Sequence, residues 1–524
     1  MTTRLKPSFE EIKGYAAKKT GNIIPVFRSI SADLLTPVSA YLRLSTTSNY
    51  SFLFESVTGG EKISRYSFLG ANPFKVIRTG DNENIKGDPL IVIESELNSV
   101  KYVDVPELPE FTGGAIGYIS YDCVRYFEPR TARADIRDPF GIPDSVLMFC
   151  DTIVIFDHLH HLIKVVSHFR VDNTEGPADE DSFEREYQRV TSEIEKVVEI
   201  LRDEHIPTPN QPPIILGEQA ESNVGQAGYE NFVHKLKHHI NEGDIIQAVP
   251  SQRMRKKTTL HPFNAYRTLR SVNPSPYMFY VDVKDFQIVG ASPEMLVKVE
   301  KGTVYTHPIA GTRKRGKTPA EDEALAADLL SDIKERSEHI MLVDLGRNDV
   351  NRICDPSTVK VDSLMHIERY SHVMHIVSNV SGQLREGKTP YDAFRSIFPA
   401  GTVSGAPKVK AMELIYELEQ EKRGIYAGAV GYFAYSGGMD TAIAIRTMLF
   451  KDGFVYLQAG AGIVYDSVAT SEWEETVNKL KSNFTAIETA EAYYQTLQVE
   501  KKPHTAMLER MWSDNNIQNL HSVG

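Results

Sequence analysis

The sequence predicts an α+β fold in which strands lie in mainly antiparallel sheets. Three observations predict this class. The segment from Tyr426 to Tyr465 contains three β-rich runs that are separated by glycine turn signals. Residues 153–156 and 162–166 are apolar runs on either side of a polar centre, which is typical of a hairpin. Strands occur in runs with helices grouped between them, and this favours α+β over a doubly wound sheet.

The 524-residue chain has one clear linker, which we place at residues 204–226. This segment holds four prolines followed by a polar stretch, a composition that suits neither helix nor strand. It separates an N-terminal region, residues 20–203, from a larger C-terminal region, residues 227–490. Residues 501–524 are polar, and we predict that they form a loose tail.

Helical periodicity occurs on both sides of the linker. Apolar residues between Ser182 and Leu201 recur at helical spacing, and so do those between Tyr229 and Ile240. Gly243 ends the second helix, and residues 245–254 read as a strand.

Composition excludes several classes of function. The net charge of -12 argues against nucleic acid or an anionic membrane surface as the main partner. We find no apolar run that is long enough to span a membrane. The three cysteines, at positions 123, 150 and 354, are isolated, which suits a reducing compartment and three buried thiols. We therefore predict a cytoplasmic protein.

Two ExxE pairs lie in predicted helices, so each pair shares one helix face. The pairs are Glu335 with Glu338 and Glu472 with Glu475. Four carboxylates on two facing helices would form an oxygen-rich site suited to Mg²⁺. A solvated acidic face is the alternative interpretation of the same pattern.

Two further segments suggest anion binding. A loop of small residues, Ala400–Ala406, leads into a helix with Pro407 in its first turn, and such a helix start can bind a carboxylate or phosphate. In a strand through residues 440–449, Arg446 would share a face with Ala442 and Ala444. That arginine would pair with a carboxylate of either the protein or a ligand. Histidines cluster near His160 and His239, but neither cluster has a matching set of metal ligands.

Several strings occur together and in order: PIAGTRKRG, SEHIMLVDLGRNDVNRI, SHVMHIVSNVSG, FPAGTVSGAPKVKAMELI, GYFAYSGGMDTAIAIRTM and LQAGAGIVYDS. Together they resemble the chorismate-utilising enzymes, and within them the component I subunits of anthranilate synthase. The resemblance covers roughly residues 20–490. It implies two β-sheets packed face to face, surrounding helices and an active site in a cleft.

The resemblance also implies roles for individual residues. Glu338 and Glu475 would bind Mg²⁺, with Glu335 and Glu472 as the supporting members. Glu294 would protonate the departing ring hydroxyl, which requires burial to raise its pKa. His375 and Thr402 would lie beside the ring. The remaining substrate contacts implied by the resemblance are Gly311, Thr312, Tyr426, Arg446, Gly460, Ala461 and Gly462.

Two positions distinguish members of this family. Relatives that use water carry a lysine base where this chain has Gln247, and aminodeoxychorismate synthase carries a lysine where this chain has Ala310. Both positions favour ammonia as the nucleophile and anthranilate as the product. The rival interpretations are another chorismate enzyme and a non-catalytic binding protein, and the second would be expected to have lost some of the carboxylates or Arg446.

The resemblance further implies partners and an inhibitor. Ammonia would come from a separate glutamine amidotransferase subunit, component II, in a heterotetramer. A feedback site for tryptophan would include Glu55, Ser56, Asn273, Pro274, Ser275, Pro276, Tyr277 and Met278. From the residues alone, the PSPYM string indicates only a rigid proline turn that presents a tyrosine and a methionine.

Overall fold

The structure is a computed structural model, and it describes residues 4–56, 65–173, 179–370 and 373–500. The predicted tail lies outside these residues. The strands before the linker are β1 (Ile23–Ser31), β2 (Ser51–Glu55), β3 (Tyr66–Ala71), β4 (Lys75–Thr79), β5 (Gly114–Ile119), β6 (Ser145–Cys150), β7 (Ile153–Asp157) and β8 (Leu162–Arg170).

The later strands are β9 (Glu221–Ser222), β10 (Gln247–Ala248), β11 (Ser251–Lys257), β12 (Tyr277–Asp282), β13 (Gln287–Ser292), β14 (Met295–Glu300), β15 (Thr303–Thr306), β16 (Ile309–Lys314), β17 (Lys360–Arg369), β18 (Val373–Gln383), β19 (Gly405–Ala406), β20 (Ala429–Ala434), β21 (Met439–Ile443), β22 (Thr447–Lys451) and β23 (Phe454–Gly460).

The α-helices are α1 (Phe9–Ala17), α2 (Pro37–Ser45), α3 (Pro89–Leu97), α4 (Val124–Phe127), α5 (Glu180–Arg202), α6 (Gly225–Asn241), α7 (Pro262–Val272), α8 (Pro319–Ser331), α9 (Ile333–Asn351), α10 (Pro390–Ile397), α11 (Lys408–Glu419) and α12 (Ala469–Glu500). None of the helices in the described part of the chain has the length and apolar character needed to cross a membrane.

Two large antiparallel sheets form the centre of the molecule. The larger sheet has 11 strands in the order β1-β8-β7-β3-β2-β12-β13-β22-β23-β11-β9. The smaller sheet has 10 strands in the order β16-β18-β15-β14-β21-β20-β5-β6-β4, with β17 paired to β18. Both sheets draw strands from both sides of residues 204–226.

The two sheets pack against each other through a continuous apolar core. Aromatic contacts cross the interface: the Phe68 ring of β3 lies 6.1 Å from the Tyr432 ring of β20, and the Tyr118 ring of β5 lies 5.9 Å from Phe286. Burial of these large rings provides much of the energy that holds the sheets together. The predicted α+β class with face-to-face sheets is confirmed.

Several predicted elements are also confirmed. Strands β7 and β8 form the hairpin, α5 matches the amphipathic helix before the linker, and α6 matches the helix after it. Both ExxE pairs lie on helices, one on α9 and one on α12. The three cysteines are free and buried.

The prediction of one meander between Tyr426 and Tyr465 is wrong. Strands β20 and β21 lie in the smaller sheet, whereas β22 and β23 lie in the larger one. The chain leaves the smaller sheet after Ile443 and turns at Arg446, whose φ of 53° lies in the left-handed region. The apolar alternation continues through the crossover, so the pattern does not reveal that the strand ends there.

The strand predicted for residues 245–254 is also interrupted. Strand β10 pairs with β19 in a separate two-stranded sheet, and β11 pairs with β23 in the larger sheet. Pro250 lies between β10 and β11, and its missing N–H group cannot continue a ladder. The break places Gln247 apart from the large sheets.

Candidate active site

The predicted catalytic acid is buried between β13 and β14. Glu294 is 7% exposed, and the Thr402 hydroxyl donates a hydrogen bond of 2.9 Å to its Oε1. Burial raises the pKa of Glu294 to about 8, although the Thr402 hydrogen bond and the nearby Lys479 charge oppose this rise. The expected rise in the pKa of Glu294 is therefore confirmed, and the carboxyl group is largely protonated at neutral pH.

The ExxE pair on α9 faces the site. The side-chain amide of Gln247 donates a hydrogen bond of 3.1 Å to Glu338 Oε1. Burial raises the pKa of Glu338, and the charges of Glu335 and Glu475 raise it further. Glu335 forms an ion pair of 3.0 Å with Arg313, so the two carboxylates of this pair have different partners.

The second ExxE pair lies at the start of α12. Glu475 forms an ion pair of 2.7 Å with Lys479, one turn further along the helix. Burial raises the pKa of Glu472, and the charge of Glu475 adds to this effect. The charge of Glu475 on α12 thus acts both on Glu472 and on Glu338 of α9, which links the two carboxylate pairs. In the part of the chain that is described, no three of these carboxylates place ligand atoms within 4.8 Å of one another.

A histidine and a glycine bulge form another side of the site. Thr312 of β16 is opposite His375 of β18, and the register shifts between Ala310 and Thr312. Gly311 has a φ of 73°, and its carbonyl oxygen lies 2.9 Å from His375 Nδ1. With the proton on Nδ1, His375 donates to that carbonyl and keeps a lone pair on Nε2. Burial lowers the pKa of His375, which favours this neutral form.

Glycines after β23 allow the backbone to approach neighbouring groups closely. A Cβ atom on Gly462 would lie 2.3 Å from Gln247 Nε2, and one on Gly460 would lie 2.5 Å from the Pro250 carbonyl. The Tyr426 hydroxyl accepts a hydrogen bond from the Gly460 backbone, and the Ala461 N–H donates to Tyr229 over 3.1 Å. The backbone of this segment therefore lies close to Gln247, Pro250 and Tyr229.

Arg446 reaches the site by a different route from the one predicted. The argument from a continuous strand with Ala442 and Ala444 is wrong, because β21 ends at Ile443. The left-handed turn at Arg446 directs its guanidinium group to the Lys479 carbonyl of α12, to which Nη1 donates a hydrogen bond. Burial lowers the pKa of Arg446, and the nearby Tyr426 and Glu475 oppose this change.

A lysine at the start of α11, next to the predicted anion site, pairs with a carboxylate of the protein. Lys408 forms a buried ion pair of 2.6 Å with Asp349 of α9. Its ammonium group also donates to the Ile397 carbonyl over 2.9 Å. This lysine therefore ties α11 to α9, and its charge is already compensated.

Sequence reasoning missed Lys479. Its ammonium group lies 2.9 Å from the Gly460 carbonyl and 2.7 Å from Glu475. It also lowers the pKa values of Glu294, Glu338 and Glu472 and affects that of His375. The positive charge of Lys479 thus acts on Glu294, on His375 and on carboxylates of both ExxE pairs. The only sequence signal was its position four residues after Glu475, which is equally typical of an exposed helix pair.

The residues assigned to the inhibitor site also come together. Met278 of β12 is directly opposite Glu55 of β2, so the two predicted strings are neighbours in the larger sheet. Glu55 is buried and accepts hydrogen bonds from the Tyr266 hydroxyl at 2.6 Å and from Arg270 at 2.9 Å. Residues 273–276 connect α7 to β12, with Ser275 buried and Ser56 half-buried. The Tyr277 hydroxyl donates to Asp440 over 3.1 Å and so links the larger sheet to β21.

The buried acid, the two carboxylate pairs and the closely packed glycines lie on a fold that has known relatives. The profile described as chorismate binding enzyme matches residues 49–485, which is most of the chain. The chain belongs to the family of chorismate-binding enzymes.

Within this family the chain is similar to component 1 proteins of anthranilate synthase. The probable anthranilate synthase component 1 of Schizosaccharomyces pombe is 53% identical over 492 residues, covering 94% of this chain and 98% of the relative. Anthranilate synthase component 1 of Saccharomyces cerevisiae is 52% identical over 500 residues, with coverage of 93% and 97%. The resemblance stated from the motifs is thereby confirmed.

A solved structure has the same fold. Anthranilate synthase component I from Streptococcus pneumoniae has a TM-score of 0.71 and 40% identity, covering 87% of this chain and 98% of that chain. A menaquinone-specific isochorismate synthase from Escherichia coli has a TM-score of 0.66 at 16% identity, which supports the fold alone.

Proposed function

We propose that this chain is an anthranilate synthase large subunit that converts chorismate and ammonia to anthranilate, pyruvate and water. The observation that carries the proposal is Glu294, a buried carboxylic acid with a pKa of about 8 that accepts a hydrogen bond from Thr402. Amination of chorismate replaces a ring hydroxyl, and a hydroxyl leaves readily only when it takes up a proton. Glu294 is a suitable donor of that proton.

In the first step, ammonia adds to the ring while the hydroxyl departs as water. The atom that bonds to carbon is the ammonia nitrogen, and the proton for the leaving group comes from Glu294. Gln247 supports ammonia over water, because its amide cannot remove a proton from water as an amine can. The product of this step is aminodeoxyisochorismate.

In the second step, pyruvate is eliminated and the ring becomes aromatic. The ring loses a proton, and the enolpyruvyl group leaves as pyruvate after gaining a proton at its methylene carbon. His375 is suited to accept the ring proton, because its Nδ1 is engaged by the Gly311 carbonyl and its burial favours the neutral form.

The substrate carries two carboxylates, and the site offers two kinds of group for them. Arg446 and Lys479 would supply positive charge near Tyr426 for the enolpyruvyl carboxylate. Gly460 and Gly462 let the backbone of this segment lie close to Pro250 and Gln247. Gly311 and Thr312 would contact the ring carboxylate. Charged hydrogen bonds of this kind orient a dianionic ligand strongly.

The carboxylates of α9 and α12 suit Mg²⁺. Glu338 and Glu475 would hold the ion, with Glu335 and Glu472 beside them. Glu338 is half-buried; burial raises its pKa, and the charges of Glu335 and Glu475 raise it further. A divalent cation would relieve that repulsion. When bound, the ion would supply a positive charge and a Lewis acid for the ring carboxylate of chorismate.

Ammonia would be delivered by a glutamine amidotransferase subunit, component II, in a heterotetramer, and free ammonium would replace it in vitro. Tryptophan would inhibit the enzyme by binding beside Glu55, Ser56 and the 273–278 segment. We place the protein in the cytoplasm on the basis of its composition and its substrate.

The test is anthranilate fluorescence after the purified chain is mixed with chorismate, magnesium and an ammonium salt. We expect the signal to need all three and to be suppressed by tryptophan. A Glu294→Gln variant serves as the matched inactive control, since it keeps the shape but cannot donate an acidic proton. Consumption of chorismate without anthranilate would instead identify a sister reaction, such as formation of aminodeoxychorismate or isochorismate.

A further inference from the structure

A second cluster of ligand-type side chains lies on one face of the smaller sheet. His307 is in the connection between β15 and β16, whereas His366 and Glu368 are two residues apart on β17 and therefore share a face. Glu368 Oε1 is 3.3 Å from His366 Nε2 and 3.6 Å from His307 Nε2. One ligand atom from each of the three residues lies within 4.8 Å of the other two.

Hydrogen bonds behind two of these side chains orient their free atoms into the cluster. His366 Nδ1 lies 3.2 Å from Ser363 Oγ, which also accepts a hydrogen bond of 2.9 Å from Asn379. His366 Nε2 and Glu368 Oε1 share a hydrogen bond in the metal-free chain, with the proton on Nε2. An ion would replace that proton, and a proton on Nδ1, donated to Ser363, would leave the Nε2 lone pair available to it. The Tyr370 hydroxyl donates to Glu368 Oε2 over 2.9 Å, so Oε1 is the oxygen that faces the histidines. Metal sites commonly use such outer hydrogen bonds to fix their ligands.

His307 adds an independent observation. Its Nε2 is buried and has no hydrogen-bond partner within the described residues, and its nearest charged neighbour is Glu368. A buried nitrogen without a partner destabilises the fold unless something else binds it. The other imidazole nearby, His339 of α9, is bonded through Nε2 to Ser378 at 2.6 Å.

We propose that His307, His366 and Glu368 form a binding site for a divalent transition-metal ion of the zinc type. This set of two imidazoles and one carboxylate suits zinc, whereas Mg²⁺ prefers oxygen ligands alone. Tetrahedral bonds of about 2.1 Å place ligand atoms about 3.4 Å apart. The two measured separations, 3.3 Å and 3.6 Å, are close to that value.

Solvent can reach this site. The side chains of His366 and Glu368 are 37% and 35% exposed, so an ion can enter and keep water as a fourth ligand. The site uses none of the carboxylates of α9 and α12, although Glu368 lies opposite His375 in the β17–β18 pair. Zinc binding here does not depend on the proposed reaction. An ion here would join β17 to the turn that precedes β16, and would therefore stabilise the folded chain.

The test measures zinc binding to the full chain after chelation and dialysis, in excess Mg²⁺ so that oxygen-rich sites are saturated. We expect calorimetry to show that the chain binds one equivalent of Zn²⁺ and that the ion raises the melting temperature. When Co²⁺ replaces Zn²⁺, we expect the visible absorption band that is typical of four-coordinate Co²⁺. His366→Gln and Glu368→Gln should each weaken binding at least tenfold, and Tyr370→Phe should weaken it about tenfold through the lost outer hydrogen bond.

The matched control is His238→Gln, which removes an exposed histidine from the unrelated cluster on α6. This variant should keep the bound equivalent and the shift in melting temperature. The proposal is overturned if the wild-type chain binds no stoichiometric zinc in excess Mg²⁺. It is also overturned if His238→Gln lowers the affinity as much as His366→Gln does. Circular dichroism of each apo variant checks that its fold is intact.

Discussion

The hydroxyl of Thr402 donates a hydrogen bond to Glu294 and is the one side-chain hydrogen bond that opposes the effect of burial on this acid. The pKa of Glu294 therefore reflects a balance between burial, which raises it, and Thr402, which lowers it. Two elements far apart in the sequence, the turn before β14 and the loop before β19, together set the protonation state of the proposed acid.

The pH dependence of turnover follows from this balance. The acid is active when protonated, so kcat/KM should be retained below the pKa of about 8 and should fall as pH rises through it. Thr402→Val removes the hydrogen bond that lowers the pKa of Glu294, so the fall in kcat/KM should occur at a higher pH in this variant. Rates measured from pH 6 to pH 10 with a constant concentration of free ammonia test both statements, and an unshifted fall in the variant would contradict the assignment.

Glu338→Gln should lose magnesium-dependent turnover by about a hundredfold or more, because a neutral amide binds the ion weakly. The measurement is the rate of anthranilate formation as a function of magnesium concentration. Glu474→Gln is the matched control, since Glu474 is exposed on α12 next to Glu475 and should tolerate the change. Equal rates in the two variants would refute the role of Glu338.

Gly462→Ala should reduce turnover by about a hundredfold, because displacing a catalytic group by about 1 Å can have an effect of that size. The added Cβ atom would lie 2.3 Å from Gln247 Nε2, so the Gln247 side chain must move away from Glu338. Gly14→Ala on α1 is the control, because its Cβ atom would meet no other atom within 4 Å. Wild-type kinetics for the Gly462 variant would exclude a tight contact at Gln247.

Ser56→Phe should leave turnover intact while abolishing inhibition by tryptophan, because a half-buried serine beside Glu55 leaves no room for a phenyl ring and the inhibitor together. Dose-response curves for tryptophan provide the measurement. Ser95→Phe, an exposed site on α3, should keep the wild-type curve. If the Ser56 variant gives that curve as well, Ser56 does not belong to the inhibitor site.

Lys256→Met should lower the free energy of unfolding by about 3–5 kcal/mol, since it leaves the charge of Glu491 buried without its partner. Lys256 and Glu491 form an ion pair of 2.5 Å that is 6% and 3% exposed and fixes α12 to β11. Urea denaturation measures the loss. Lys196→Met, at an exposed pair on α5, is the control and should change stability by less than about 1 kcal/mol.

Local patterns predicted the class of the fold and the helices α5, α6, α9, α11 and α12, because helical periodicity and turn signals are encoded by neighbouring residues. They failed at Arg446, where the same alternation continues while the chain passes from one sheet to the other. Which of the two sheets a strand joins depends on long-range packing, and an alternating pattern of apolar residues does not reveal it. The motif resemblance nevertheless selected Arg446, and its position beside Tyr426 and Glu475 agrees with that selection.

Charged groups were the least predictable part of the site. Lys479 matches an ordinary helix pair in the sequence, and only its folded surroundings show that it faces Glu294, Glu338 and Glu472. Likewise, the histidine clusters visible in the sequence, near His160 and His239, have local carboxylate partners instead. The cluster of ligand-type residues arises from His307 and His366, which only strand pairing brings together.

The sharing of both sheets by the two halves of the chain has a consequence for biosynthesis. Strand β2 pairs with β12 more than two hundred residues later, and β5 pairs with β20 more than three hundred residues later. A nascent N-terminal half therefore leaves the ribosome with two unpaired strand edges, which are prone to aggregation. Such distant pairings also slow folding. The chain must depend on its last third, and on any chaperone that shields those edges meanwhile, to reach its native state.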